Sequence, residues 1–360
     1  MFPLRDKHVA TQIISSIKKL NVHYTFMHVC GTHQDTLVKH GLDCLLSSCG
    51  IQIRQGPGCP VCVTSPKEIE EMLVIAEKNH IVATFGDMIR VPGEKKSLQN
   101  MKEQGCDVRT VYSVEDAVKI AKKNKQKDVI FMAVGFETTT PMNAAVIQQD
   151  PPENFSLLCC HRLIPPALQA ILEMGEIHLD GFIQPGHVSV IIGSKPYEFL
   201  SEQYHIPQVI AGFEPLDLLM ATWMLTRQIK KKESLVENEY TRVVDQDGNI
   251  KAKALIDTVF EVCDVKWRGF PIIAKSGLKI KRKYEQYDAR KKYEDELRSV
   301  NEKEFTEPKN CRCGDVLRGV ISSEQCPLFG NTCQPTTPVG PCMVSTEGSC
   351  NIQYRYQKNK

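Results

Sequence analysis

The sequence predicts an α/β fold: two parallel-sheet α/β domains around a cleft, followed by a C-terminal iron–sulfur region. Three observations predict it. Short apolar, strand-like runs alternate with helix-periodic segments from residue 7 to about 230, as a parallel sheet covered on both faces requires. The alternation pauses at the lysine-rich stretch 122–127 and then restarts, giving two units of similar plan without sequence repetition. The final segment loses periodicity and gathers six of the chain's 15 cysteines between Cys311 and Cys350. The expected divisions are 1–125, an α/β domain with the Cys30 and Cys59/Cys62 loops; 126–235, a second α/β domain; and 236–360, an extended arm and cluster-binding region. A chain of 360 residues is long enough for two or three domains.

Residues 7–20 put Ile13, Ile14 and Ile17 on one helical face. Residues 24–29 read as a buried strand ending at Cys30-Gly31-Thr32-His33. Thr32 and Asp35 are placed to cap the following helix, which stops near Gly41. Ile51-Gln52-Ile53-Arg54-Gln55 alternates as a strand and leads into Gly56-Pro57-Gly58-Cys59-Pro60-Val61-Cys62. Ser65-Pro66-Lys67-Glu68 has the form of a capping box with Pro at the first helical position. Ile69, Met72, Leu73 and Ala76 then follow at helical spacing. Residues 81–85 and 108–112 are further strands, and Ser113 caps a helix carrying Val114, Ala117, Val118 and Ala121. Past the lysines, strands at 129–134, 155–159, 181–184 and 207–211 complete the second unit. The helix 216–230 has Leu219, Met220 and Trp223 on an apolar face, which reads as core. Residues 230–239 and 279–300 are highly charged and read as solvated, the latter as a linker or arm.

Composition excludes several classes. A net charge of +2 without a long basic block gives no reason to expect nucleic acid. No run of eighteen apolar residues exists, so no membrane span is expected, and residues 1–6 lack an apolar signal core. The expected compartment is the cytoplasm. There the cysteines serve metal, cluster or thiol chemistry rather than a disulfide framework.

Ligands of open parallel sheets bind outside the carboxyl ends of the strands. The strand ends here carry Cys30 and His33, Cys59 and Cys62, Asp87 and Arg90, Glu137 and Thr138, His161, His187 and Glu214. So many polar groups at one edge suggest a cleft shared by the two units. For His161 or His187 alone, the plainer reading is a cap or a satisfied buried imidazole. The Cys59–Cys62 spacing suits a redox dithiol or two thiolates on one metal. The electropositive helix start after Ser65 should keep Cys62 partly ionised. A structural zinc site would need a second such pair with suitable spacing, which the chain lacks. Cys30 can join the pair on one metal, since soft thiolates suit Fe(II) or Zn(II), with His33 as imidazole ligand or proton donor. Among the tail cysteines, Cys326, Cys333, Cys342 and Cys350 are spaced by seven, nine and eight, with Cys311 and Cys313 before them. Four thiolates can hold a 4Fe–4S cluster, and the spacing favours a cluster over zinc. The tail has too little apolar content for a core of its own, so a metal or cluster is expected to hold it.

Cys30-Gly31-Thr32-His33, the Gly56 to Thr64 stretch, Gly135-Phe136-Glu137-Thr138-Thr139, Pro185-Gly186-His187-Val188-Ser189 and Gly212-Phe213-Glu214-Pro215-Leu216-Asp217 together resemble the HypD family of NiFe-hydrogenase maturation proteins. The tail from Gly340 to Cys350 looks like that family's cluster region, so the likeness covers essentially the whole chain. The resemblance implies a scaffold that works with a HypC-type chaperone. On it, Fe(II) receives cyanide and carbon monoxide, with HypE, charged with HypF, as cyanide donor. The finished Fe(CN)2CO unit then goes to the hydrogenase large subunit. It also implies that Cys30, Cys59 and Cys62 are the iron-site or redox thiols, with His33 in the same site. Cys326, Cys333, Cys342 and Cys350 would bind a 4Fe–4S cluster able to pass electrons to a nearby thiol pair. Trp267-Arg268-Gly269-Phe270-Pro271 departs from the family pattern after Gly269, which bears on local backbone shape. A second reading is a cluster-dependent thiol–disulfide oxidoreductase acting on a protein partner, and a third is a structural zinc protein. Cys30 separates the first two, because a dithiol reductase needs only the pair.

Overall fold

The computed structural model describes residues 5–357, so the first four residues of the stretch read as lacking a signal core lie outside the described residues. Its strands are β1 (Tyr24–His28), β2 (Ile51–Gln55), β3 (Ile81–Thr84), β4 (Val108–Thr110), β5 (Val129–Gly135), β6 (Phe155–His161), β7 (Gly181–Pro185), β8 (Gln208–Ala211), β9 (Val236–Asn238), β10 (Phe260–Lys266) and β11 (Ile272–Ile280). They form two parallel sheets, of order β2-β1-β7-β8-β9 and β4-β3-β5-β6, and the antiparallel hairpin β10-β11. β5 and β6 are buried at every position, which is why they read as largely apolar runs without alternation. β2 lies at a sheet edge, with Ile51 and Gln55 buried and the residues between them half-buried or exposed.

The strands are not shared out at residue 125. β1 and β2 pair in one sheet with β7, β8 and β9, while β3 and β4 pair with β5 and β6. The chain leaves the first sheet after β2, builds the second, and returns to the far side of β1 as β7.

Helix boundaries follow the local signals closely. The first helix is Lys7–Lys19, capped by Asp6. Ser65 and Glu68 make a reciprocal capping box for Pro66–Glu77, and Ser113 accepts the Asp116 N–H at the start of Val114–Lys123. Thr32 and Asp35 do not cap: the helix Gly31–Lys39 begins directly after Cys30, which holds the N-cap position without a side-chain bond. Asp35 instead accepts from Arg355 and Tyr356 of the tail, both at 3.1 Å.

Two segments expected to be solvated are built into the fold. Residues 236–238 form the edge strand β9. Within 279–300, Tyr287, Ala289, Tyr293, Leu297 and Val300 are all buried. Arg290 from the same segment donates to Glu71 at 2.8 Å and to the Cys159 carbonyl at 2.7 Å. The tail is likewise no separate module. Cys313, Cys333, Cys342, Met343, Val344 and Cys350 lie in one continuous core with Met27, Cys59, Cys62, Val134 and Leu158.

Candidate functional site

β1 is flanked by β2 on one side and β7 on the other, all parallel. Successive connections leave β1 in opposite directions, so the β1/β7 boundary is the switch point at which an open sheet receives a ligand. Cys30 follows β1 and His187 follows β7, and their Sγ and Nδ1 atoms are 3.6 Å apart. On the β2 side the chain reaches Gly58, where an added Cβ would fall 2.2 Å from the Cys30 nitrogen. Only glycine lets the two strand-end loops touch in this way, and the Gly31 N–H donates to the Gly58 carbonyl at 3.3 Å.

Cys59 and Cys62 follow at once. They bracket the start of a single helical turn, Pro60–Val63, rather than sitting in an open loop. Cys59 Sγ accepts the Cys62 N–H at 3.2 Å. The two cysteines are joined as a disulfide, with Cα atoms 5.2 Å apart. Cys30 thus neighbours a disulfide, and the expected partly ionised Cys62 is absent from this oxidised state. Among the described residues, no three His, Cys, Asp or Glu side chains are drawn together as a ready-made metal cage.

The surroundings of Cys30 are dry. Burial pushes its thiol up to about 12, with backbone bonds from His33 and Thr32 pulling the other way. Burial lowers His187 to about 4 and His33 to about 3, so both imidazoles are neutral at pH 7. His33 donates from Nε2 to the Gly212 carbonyl at 2.9 Å, which leaves its buried Nδ1 without a hydrogen-bond partner. The Phe213 ring contacts both imidazoles, with centroids 5.4 Å from His33 and 5.6 Å from His187. His187, a strand-end residue for which a cap or satisfied buried imidazole is the plainer reading, instead lies against Cys30, and Phe213 is a site residue that the sequence reading did not select. His161 does follow the plainer reading: it is buried and bonded to Asn143 at 3.0 Å.

The tail lies across the carboxyl edges of both sheets, where a cleft was expected. Asp87, after β3, accepts from Ser345 Oγ at 3.0 Å and the Thr346 N–H at 3.1 Å. Arg90 donates to the Pro335 and Val344 carbonyls. Ser349 donates to Gln55 at the end of β2. Asp87 and Arg90 thus hold the tail. Glu214 is spent on a surface ion pair with Arg5 at 2.6 Å and on capping its own helix with Asp217.

All six tail cysteines gather in this region. The Cys313 thiol is in hydrogen-bonding contact with those of Cys311 and Cys342. Burial pushes the Cys350 thiol well up, and Cys333 accepts the Val339 N–H at 3.3 Å. A Cβ on Gly340 would sit 2.7 Å from the Cys313 sulfur and 2.8 Å from that of Cys311, so glycine leaves room for sulfur. The direct thiol contacts thus join Cys311, Cys313 and Cys342, while Cys326, Cys333 and Cys350 lie buried in the same region. The turn Pro341–Val344, which carries Cys342, meets the other pair directly: the Pro341 carbonyl is 4.0 Å from Cys62 Sγ. At the departure from the family pattern, Gly269 takes φ +77° and packs backbone to backbone on Gly314, next to Cys313.

The HypD family model, described as the hydrogenase formation hypA family, matches residues 7–357. The hydrogenase maturation factor HypD2 of Bradyrhizobium diazoefficiens is 42% identical over 98% of this chain and 95% of its own length. The hydrogenase maturation factor HypD of Cupriavidus necator is 41% identical over 99% and 96%, and that of Escherichia coli 42% over 93% and 89%. The chain belongs to the HypD family of hydrogenase maturation factors.

Proposed function

We propose that this chain and a HypC-type chaperone form the scaffold on which an iron ion receives cyanide and carbon monoxide before delivery to a NiFe-hydrogenase large subunit. HypE, charged with HypF, is the cyanide donor in this reading, and the work takes place in the cytoplasm. One observation carries it. The Cys30 loop and the Cys59–Cys62 turn abut at neighbouring strand ends, and the cysteine-rich tail is laid against the same turn, 4.0 Å from Cys62.

The iron unit is cargo, and Cys30, Cys59 and Cys62 are its proposed anchors. Opening the Cys59–Cys62 bond takes two electrons and frees two sulfurs, which with Cys30 present three soft donors. His187, against Cys30, and His33, fixed by the Gly212 carbonyl, orient that pocket, and Phe213 keeps water from it. The tail donor set fits a 4Fe–4S cluster: several sulfurs converge in a buried region, and Gly340 offers space rather than a side chain. Cys326, Cys333, Cys342 and Cys350 are the proposed ligands. The chemistry such a cluster supplies is one-electron transfer.

The Cys59–Cys62 disulfide favours a second reading, a cluster-dependent thiol–disulfide oxidoreductase for a protein partner. Against it, Cys59 and Cys62 are both 0% exposed, which suits a partner disulfide poorly. Replacing Cys30 with Ala decides between the two. The scaffold reading expects hydrogenase maturation to be abolished with the tail cluster retained. Normal maturation by Cys30→Ala, alongside failure of Cys59→Ala or Cys62→Ala, would establish the oxidoreductase instead.

A further inference from the structure

A cavity of about 370 Å³ opens beside the carboxyl ends of β5 and β6, away from the sulfur sites, and no step proposed above uses it. Glu137, just after β5, lines it, as does Leu163 just after β6. Ile192 and Pro196, from the region after β7, form another wall, and Ile256, Phe260 and Val262 close it from the hairpin side. The cavity therefore sits at a seam between the two sheet units, at the strand edge where α/β sheets take ligands, and its size is that of a small-molecule site.

Its walls are apolar but its one deeply buried polar group is left unsatisfied. Glu137 is 3% exposed. Its Oε1 accepts the Ile164 N–H at 2.9 Å, while its Oε2 is buried and has no hydrogen-bond partner. The mouth carries Lys253 and Asp257, yet Lys253 turns its ammonium onto the Asp247 carbonyl at 2.6 Å and leaves Glu137 without a cation. A buried carboxyl with one oxygen unsatisfied is costly unless something binds it. An N–H donor carrying positive charge satisfies that oxygen and its charge together.

We propose that this cavity binds a small organic ammonium ion, with its apolar body against Leu163, Phe260 and Val262 and its nitrogen on Glu137 Oε2. The flat Phe260 ring and the proline walls favour a ring-bearing body over the plain chain of a protein lysine.

The test titrates the full-length protein with benzylammonium by calorimetry. Saturable one-site binding is expected, weakened at least tenfold by Glu137→Gln. Val262→Trp fills the mouth from a position that is 52% exposed, so it leaves folding undisturbed and should weaken binding similarly. Benzyl alcohol, with the same body and no charge, should not bind. n-Butylammonium, which mimics a lysine side chain, should bind more weakly than benzylammonium. The proposal is overturned if benzylammonium fails to saturate at millimolar concentration. It is also overturned if both variants bind as the parent does, if the alcohol binds equally well, or if n-butylammonium binds more tightly.

Discussion

Gly58 is where a single hydrogen atom keeps two functional loops in register. A methyl there would lie 2.2 Å from the Cys30 nitrogen and 2.4 Å from the Val29 carbonyl carbon, both of them backbone atoms, and the Cys30 carbonyl is already tied to the Gln34 N–H of the following helix. Gly58→Ala should therefore lower stability by about 1–3 kcal/mol, the usual cost of overpacking. It should also abolish maturation, because relief requires Cys30 to move. Urea denaturation and a hydrogenase maturation assay check both, and a variant with parental values would show the contact to be slack. Glu137 makes a prediction of opposite sign. Burial raises its carboxyl from 4.5 to about 7. Between those values the folded protein holds a proton that the unfolded chain has lost, so its contribution to stability falls as pH rises from 4.5 to about 7. Glu137→Gln removes that slope. It should match the parent near pH 4 and exceed it by about 3 kcal/mol at pH 8, as read from urea midpoints across pH. Equal midpoints at pH 8 would contradict the burial argument.

At the scale of elements, a buried ionic cluster ties the helix after the Cys59–Cys62 turn to the second sheet. Arg162, after β6, donates to Glu68 at 2.5 Å, and Arg290 reaches Glu71 at 2.8 Å. Burial alone would raise Glu68, but the two guanidiniums outweigh it and hold the carboxyl low. Arg162→Ala leaves Glu68 without its nearest partner and should cost about 3–5 kcal/mol in urea unfolding. A loss below 1 kcal/mol would mean that Arg290 alone suffices. These elements also mark the limits of what the sequence discloses. The fully buried strands and the serine caps are legible because their signals are local: an unbroken apolar run in β5, a largely apolar one in β6, and Ser-Pro-x-Glu at Ser65. The segment 279–300 hides its role because its buried tyrosines and Leu297 are spaced among lysines and arginines that face water or pair with acids. β10 hides for a related reason: as one strand of a half-covered hairpin it exposes Glu261 and Val262 alike.

The whole molecule is organised by long-range pairing, which leaves no local mark. Nothing near β2 announces that the next strand of its sheet is β7, and so the meeting of Cys30 with His187 was not legible, although each stood out as a strand-end residue. The cysteine pair, Cys30, His33 and the tail cysteines stand out in the sequence by residue type and spacing. The tail's attachment was not. It is held to both sheet edges by polar contacts and shares the main core, rather than depending on bound metal alone. Asp87→Ala with Arg90→Ala should therefore release the 335–346 segment. Limited proteolysis should then cut within it several-fold faster while the far-UV circular dichroism stays near parental. An unchanged cleavage rate would place the tail's anchorage elsewhere.

In the proposed function, Cys30 anchors an iron unit at the switch point between β1 and β7. Infrared spectroscopy of the anaerobically purified complex with its small chaperone tests it most directly, because cyanide and carbonyl stretches report the bound unit itself. These bands are expected in the parent complex. Their loss is expected in Cys30→Ala, with the visible absorption of the proposed tail cluster unchanged. Bands of parental intensity in Cys30→Ala would contradict it.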